Sequence, residues 1–240
     1  MVEDTVSYES VDNIAIITIN RPGKKNAVNS VAAVGLEDAW LRFDRSEDRV
    51  AVLTGSEGNF TVGVDVTDPP TTSAWAPHLG PSTNKPIIAA IDGWCVGAGM
   101  ILLQQADLSV ATTNAKFRYP EARLGLSRGL AAGLATKIPH KLAMEILLLG
   151  HVLGPDTLFR AGLVNKVVGP GEVLDVALGW AGEIAAADAD AVRFIKEGVL
   201  ATVPRGAGEH GEHARWLAAQ LPGNQRLMGG GLSLAELKGL

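Results

Sequence analysis

Cysteine is almost absent from this sequence: Cys95 is the single one in 240 residues, so no disulfide can form within the chain. Basic residues are not in excess, and the formal net charge of -5 argues against a nucleic acid as the main partner. No apolar run reaches the roughly 18 residues that a membrane-spanning helix needs. The acidic, polar N-terminus does not resemble a signal peptide. These absences predict a cytoplasmic globular protein with no membrane span and no nucleic-acid partner.

Glycine, in contrast, is abundant. The 28 glycines exceed the usual level of about 7%, and they cluster at the ends of predicted elements rather than in repeats. This placement indicates many tight turns and sites where bare backbone meets a ligand. Hydrophobic residues make up 47% of the chain and charged residues 20%, which is enough to build a sizeable core.

Short apolar segments alternate along the chain with segments whose apolar residues recur at helical spacing. We predict strands over 13–20, 50–55, 86–93, 106–112 and 162–168, and helices over 30–44 and from Ala98 onward. The strands are apolar on both faces, so the alternation predicts an α/β fold with a buried sheet. Segment 67–86 is rich in proline and polar residues and is predicted to be a loop beside the functional site.

Beyond about Gly171 the signals are helical only. We therefore predict a core domain over 1–185 and a helical C-terminal segment over 186–240 that packs on the core or on a neighbouring subunit.

Two places expose backbone where a buried strand has just ended. They are Gly63-Val64-Asp65 and Gly97-Ala98-Gly99. At the second, a helix begins, and the first N–H groups of a helix have no internal partner and carry positive potential. Two such N–H groups from separate loops, aimed at one point, would form an oxyanion hole. The residues alone favour a simpler interpretation, in which the glycines only allow a helix to pack closely on a strand.

Five motifs occur in a fixed order and spacing. They are INRPGKKNAVN, FTVGVDV, PIIAAIDGWCVGAGMILLQQADLSVAT, AKFRYPEARLGL and AGLVNKVV. In this arrangement the chain resembles the crotonase superfamily, also called the enoyl-CoA hydratase/isomerase family, over about residues 5–170. The resemblance implies a crotonase-like spiral of ββα units, acyl-CoA thioesters as substrates, and homotrimers or hexamers. The C-terminal segment with Trp216 and Leu217 would then bury an apolar face between subunits.

The resemblance also implies roles for single residues. The backbone N–H groups of Val64 and Ala98 would hold the charge that develops on the thioester oxygen. The implied substrate-binding positions are Lys24, Lys25, Ala27, Gly63, Asp65, Gly97, Gly99 and Ile101. The two lysines would contact the phosphates of coenzyme A, or they are ordinary solvated turn residues. No metal is implied, and no cofactor, because coenzyme A is part of the substrate.

The catalytic carboxylates depart from the pattern of a hydratase of this family. The first glutamate of that pattern is replaced by Ile101, while the second is present as Glu121 in FRYPE. Hydration benefits from two groups that hold one water, whereas moving a double bond needs one base. We therefore predict isomerisation of 3-enoyl to 2-enoyl thioesters with Glu121 as the proton shuttle. Hydration of 2-enoyl-CoA and non-catalytic binding of acyl-CoA are the alternatives.

Arginines near Glu121 bear on that choice. Arg118 stands where the family has a glycine, and pairing of Glu121 with Arg118, Arg123 or Arg128 would lower the pKa of the glutamate and weaken it as a base. An arginine-paired Glu121 in a filled acyl pocket would indicate a binding protein without turnover.

Overall fold

A computed structural model describes residues 5–77, 79, 82–127, 129–202, 222 and 225. The strands of these residues are β1 Val6–Val11, β2 Ile14–Ile19, β3 Val50–Gly55, β4 Ile87–Ile91, β5 Trp94–Val96, β6 Leu108–Thr112, β7 Lys116–Arg118 and β8 Lys166–Val168. The α-helices are α1 Ser30–Arg45, α2 Ala98–Gln105, α3 His140–Leu149, α4 Pro155–Arg160, α5 Val173–Ala186 and α6 Ala189–Thr202. Short 3₁₀-helices cover Pro22–Lys24, Glu121–Leu124 and Ala132–Thr136.

Six strands form the main sheet in the order β1-β2-β3-β4-β6-β8. The β1–β2 pair is antiparallel and the other neighbours are parallel. A second, two-stranded parallel sheet joins β5 to β7. The predicted α/β class with a buried sheet is confirmed, and it follows from strands that are apolar on both faces.

Alternate residues of each central strand serve two different cores, because successive side chains of a strand point to opposite faces. In β3, Ala51 and Leu53 join the larger cluster with α1 and α2. Val50 and Val52 join a smaller cluster that α5 covers with Ala177 and neighbouring residues. Both faces of the sheet are therefore shielded from water.

Three strands lie outside the sequence prediction, each for a physical reason. β1 is an edge strand whose residues are half-buried or exposed, so it carries no apolar pattern. β5 and β7 have three residues each, too few for a period to be read. The last predicted strand, 162–168, begins only at Lys166, because the N–H groups of Leu163 and Val164 bond back to Leu158 O at the end of α4.

The C-terminal part that is described is helical, with α5 ending at Ala186 and α6 beginning at Ala189. The division at residue 185 stays a prediction, and Trp216 and Leu217 lie outside the described residues. Within 67–86, the residues that are described form no helix or strand, as predicted. None of the described helices has the length and apolar character that crossing a membrane requires.

Candidate active site

A cavity of about 490 Å³ opens where the segments that follow β2, β3, β5 and β7 meet. Most of the residues predicted from the motifs line it: Lys24, Lys25, Ala27, Gly63, Val64, Asp65, Gly97, Ala98, Ile101 and Glu121. The structure thus brings together segments that are up to about a hundred residues apart in sequence. Leu124, Leu126 and Leu130 add an apolar wall.

Gly99 is the predicted substrate-binding residue that the structure does not bring to the cavity. A Cβ at this position would lie 3.0 Å from Thr61 Cγ2 and 3.2 Å from Cys95 Sγ. The glycine therefore lets α2 pack closely on the segment beneath it, which is the packing role that the residues alone favoured.

A buried asparagine fixes two of the loops that form the cavity. Asn26 donates from Nδ2 to the carbonyl oxygens of Ser56 (2.8 Å) and Asn59 (2.7 Å), and its own carbonyl accepts from Thr61 Oγ1 (2.6 Å). The loop after β2 is thereby tied to the loop after β3. The sequence reasoning missed this residue, although it stands in the KKNA motif between the two lysines and Ala27.

Two backbone N–H groups at the cavity have no acceptor among the described residues. Gly63 O accepts from Val28 N and Asp65 N donates to Val28 O (2.8 Å each), which leaves the N–H of Val64 between them without a partner. Ala98 is the first residue of α2, and its N–H is also without a partner.

The two segments that carry these N–H groups lie against each other. A Cβ on Gly63 would be 3.5 Å from Ala98 N and 2.9 Å from Val96 O, so only a glycine allows the approach. Gly63 (φ +96°) and Gly97 (φ +52°) both have positive φ, which favours glycine as well. Two unpartnered donors therefore stand at one wall of the cavity.

Asp65 holds the first of these loops in place. Its Oδ1 accepts from the N–H (3.1 Å) and hydroxyl (2.6 Å) of Thr67, and its Oδ2 lies 3.1 Å from Arg21 Nη1. Burial alone would raise the pKa of Asp65, but the hydrogen bonds from Thr67 and the Arg21 guanidinium lower it below its usual range. Arg21, which the sequence reasoning missed, also donates to Ala27 O (2.6 Å).

Glu121 begins the short 3₁₀-helix after Pro120. The residue as a whole is partly exposed, yet its Oε2 is enclosed and has no hydrogen-bond partner among the described residues. A Cβ at Gly97 would lie 2.8 Å from Glu121 Oε1, which places the carboxyl group directly beside the start of α2. Burial raises the pKa of Glu121 from 4.5 to about 8. Near neutral pH this carboxyl can both release and accept a proton.

The arginines near Glu121 are directed elsewhere. Arg118 donates from Nε to Gly150 O (2.9 Å), and Arg123 donates from Nε to Leu149 O (2.6 Å). Neither forms an ion pair with Glu121 in the described part of the chain. Arg128, the third candidate, lies outside the described residues.

Ile101 lies one turn into α2, is buried, and lines the same cavity as Glu121. The position of the missing carboxylate is thus apolar in the folded protein. Lys24 and Lys25 are exposed at the turn after β2 and line the cavity.

Two aromatic residues of the wall were not predicted. Tyr119 stands within the FRYPE motif, so its position was available in the sequence. Trp75 lies in the loop over 67–86, where no periodic pattern marks it. The indole N–H of Trp75, like Glu121 Oε2, is enclosed and without a partner in the described structure.

Comparison with known proteins identifies the family. A sequence profile described as enoyl-CoA hydratase/isomerase matches residues 9–216. A protein from Thauera aromatica named (E)-benzylidenesuccinyl-CoA hydratase is 35% identical over 211 residues, which are 81% of this chain and 82% of that protein. A crotonyl-CoA hydratase from Syntrophomonas wolfei is 32% identical over 213 residues, 82% of this chain and 81% of that protein.

Solved structures agree with this result. A carnitinyl-CoA dehydratase from Mycobacterium avium superposes with a TM-score of 0.83 at 31% identity, covering 94% of this chain and 95% of that chain. The chain therefore belongs to the enoyl-CoA hydratase/isomerase family and is an enzyme of that family. The predicted crotonase superfamily and fold are confirmed. The relatives carry the names of hydratases and a dehydratase, so the preference for isomerisation stays a prediction.

Proposed function

We propose that this enzyme transfers protons on the acyl chain of enoyl-CoA thioesters, with Glu121 as the acid and base. The observation that carries the proposal is a carboxyl group in the cavity that has no partner at Oε2 among the described residues and a pKa raised to about 8 by burial. Such a group is suited to shuttling protons near neutral pH. The N–H groups of Val64 and Ala98 hold the thioester oxygen, and no cofactor is needed.

Isomerisation fits a single carboxylate. Ionised Glu121 removes a proton from C2 of a 3-enoyl thioester, and the electron pair of that C–H bond spreads toward the thioester oxygen. The two N–H donors stabilise the resulting dienolate. Glu121 then returns the proton to C4, the electrons move back from the oxygen, and the double bond lies between C2 and C3. Glu121 ends ionised, as it began.

Hydration of 2-enoyl thioesters is the second candidate, and the names of the relatives favour it. It uses the same oxygen-binding donors and the same glutamate. Binding of acyl-CoA without turnover is less well supported, since its two expected signs were a filled pocket and an arginine on Glu121. The cavity is open, and Arg118 and Arg123 bond to backbone carbonyls instead.

The test is a panel of 2-enoyl and 3-enoyl thioesters of several chain lengths, assayed with wild type and Glu121→Gln, with binding measured in parallel. We expect turnover of at least one class by wild type, its collapse in Glu121→Gln, and binding near wild type in both. Glu145→Gln, on the exposed face of α3, is the matched control and should behave as wild type. Full activity in Glu121→Gln would overturn the role of the glutamate, and binding without any turnover would establish the binding protein.

We also propose that the enzyme is a cytoplasmic homotrimer or hexamer and that Lys24 and Lys25 contact the phosphates of coenzyme A. Light scattering of the purified protein should give a multiple of three chains. Replacing both lysines by methionine should raise KM for CoA thioesters and leave kcat nearly unchanged, because the phosphates are remote from the reacting carbons.

A further inference from the structure

Tyr119 is a second residue with an ionisable side chain that lines the same cavity as Glu121 and stands close to it in sequence. The residue follows β7, is only 6% exposed, and lines the cavity. Its hydroxyl makes no hydrogen bond within the described structure, although buried polar groups are normally paired. Among the described residues, the enclosed side-chain polar atoms without a partner are Trp75 Nε1, Gln104 Oε1 and Glu121 Oε2. The Tyr119 hydroxyl is not among them, so its oxygen is not completely enclosed.

Tyr119 and Glu121 line the same cavity and are separated in sequence by Pro120 alone. Burial raises the pKa of Tyr119 well above its usual range, and the charge of Glu121 raises it further. The phenol therefore still carries its proton near pH 8, where Glu121 loses its own. It can donate and accept hydrogen bonds, but it does not act as a base.

Three other polar side chains of the cavity, Thr67, Asp65 and Arg118, have protein partners, whereas Lys24 and Lys25 are exposed and Trp75 Nε1 is enclosed. The hydroxyl of Thr67 donates to Asp65, and Asp65 is also bonded to Arg21. Arg118 uses its Nε on Gly150 O. The Ile101 side chain offers no polar atom, although hydration benefits from a second polar group at this wall. Tyr119, two residues from Glu121, has both the chemistry and the position to supply it.

We propose that the Tyr119 hydroxyl and the Glu121 carboxylate together hold the water that adds to C3 of a 2-enoyl thioester. One O–H of the water donates to the Tyr119 oxygen and the other to Glu121, which leaves a lone pair of the water oxygen for C3. As that oxygen bonds to C3, Glu121 takes the proton and the π electrons move toward the thioester oxygen. Glu121 then gives the proton to C2, which completes the addition of water. The inference rests on the proposed role of Glu121 and assigns hydration to this site despite Ile101.

Tyr119→Phe tests the inference because it removes only the hydroxyl. We expect kcat for hydration to fall roughly 10- to 100-fold, the loss typical of one or two hydrogen bonds to a reacting group. KM should change little, and isomerisation should keep the wild-type rate because it uses no water. Tyr8→Phe is the matched control: Tyr8 bonds to Asp48 and does not line the cavity.

A double variant separates a role in holding water from a merely structural one. Ile101→Glu added to Tyr119→Phe supplies a second carboxylate across from Glu121, so it should restore part of the lost hydration. Unchanged hydration in Tyr119→Phe, or an equal loss of hydration and isomerisation, would overturn the inference. If Tyr119→Phe does not fold, the two activities of the wild-type enzyme still test the inference. Isomerisation by wild type without any hydration would refute the role of Tyr119. Activity of Glu121→Gln in both reactions would instead refute the proposed function itself.

Discussion

Two buried ionisable groups of this enzyme, on Lys196 and Glu121, differ in their hydrogen bonding within the described structure. Lys196, the buried residue of α6, donates to Asp107 Oδ2 and to Lys85 O, at 2.8 Å each. Asp107 also accepts from Ile87 N (2.7 Å), which joins helix and sheet in one polar network. Glu121 has an enclosed Oε2 with no partner in the described structure. The ammonium group of the lysine is hydrogen-bonded within the protein, whereas Oε2 of the glutamate has no such bond to any described residue.

This difference in hydrogen bonding indicates that Lys196 stabilises the fold and that Glu121 serves catalysis. A buried charge that is paired and hydrogen-bonded can hold elements together. A buried carboxyl without a partner opposes ionisation, and its raised pKa is a cost to the ionised folded state. Such groups are concentrated at functional sites. Substitution of Glu121 should therefore change activity, whereas substitution of Lys196 should change stability.

Glu121→Gln should have the largest effect on activity. The variant keeps the shape of the side chain and loses the group that transfers protons, a function that typically contributes about 10²- to 10⁴-fold in rate. We expect kcat for the preferred enoyl thioester to fall within that range, while calorimetric titration gives an affinity for a saturated acyl-CoA close to that of wild type. A variant that binds poorly but turns over normally would contradict this assignment.

Ala98→Pro should have the next largest effect, because it removes the proposed N–H donor of α2. Proline is tolerated at the first position of a helix, and Ala98 occupies that position. Loss of one such donor costs about 2.7–4 kcal/mol, or roughly 100- to 1000-fold in kcat. Ala98→Gly keeps the N–H and is the control. Equal kcat values for the two variants would remove Ala98 from the mechanism.

The pH dependence should report the raised pKa of Glu121, about 8. A carboxylate base is active when ionised, so kcat/KM should rise roughly tenfold between about pH 7 and pH 9.

The stability of the folded protein should instead decrease as the pH rises. The folded protein keeps the proton up to about pH 8 and the unfolded chain loses it near 4.5. The free energy of unfolding therefore falls as pH rises through this interval.

Glu121→Gln checks that assignment, since it has no carboxyl group to titrate. Relative to the variant, wild type should lose a few kcal/mol of stability between about pH 5 and pH 9, measured by urea unfolding. Parallel stability curves for the two proteins would place the pKa of Glu121 near its ordinary value.

The parts of this picture that the sequence predicts are local. The segments that carry Val64 and Ala98 follow from glycine motifs that come after short apolar runs, and their convergence follows from the family resemblance. The Lys196–Asp107 ion pair joins residues 89 positions apart, and no local sequence pattern predicts it. The absence of a partner on Glu121 Oε2 among the residues the structure describes depends likewise on tertiary contacts that a motif does not specify. The same holds for the packing of Gly99 on Thr61.

Lys196→Met should have the smallest effect on activity and a clear effect on stability. The substitution keeps the length of the side chain but leaves Asp107 with one hydrogen-bond donor fewer and Lys85 O without the ammonium. Asp107 is partly exposed, so water recovers some of the loss, and we expect the free energy of unfolding to fall by about 1–3 kcal/mol. The turnover of enoyl thioesters at a temperature well below unfolding should match wild type, because the pair does not line the cavity.

Lys141→Met, on an exposed position of α3, is the control for loss of a positive charge and should change neither stability nor turnover. A loss of activity in Lys196→Met without a loss of stability would show that this pair also serves the active site, and the contrast with Glu121 would no longer hold.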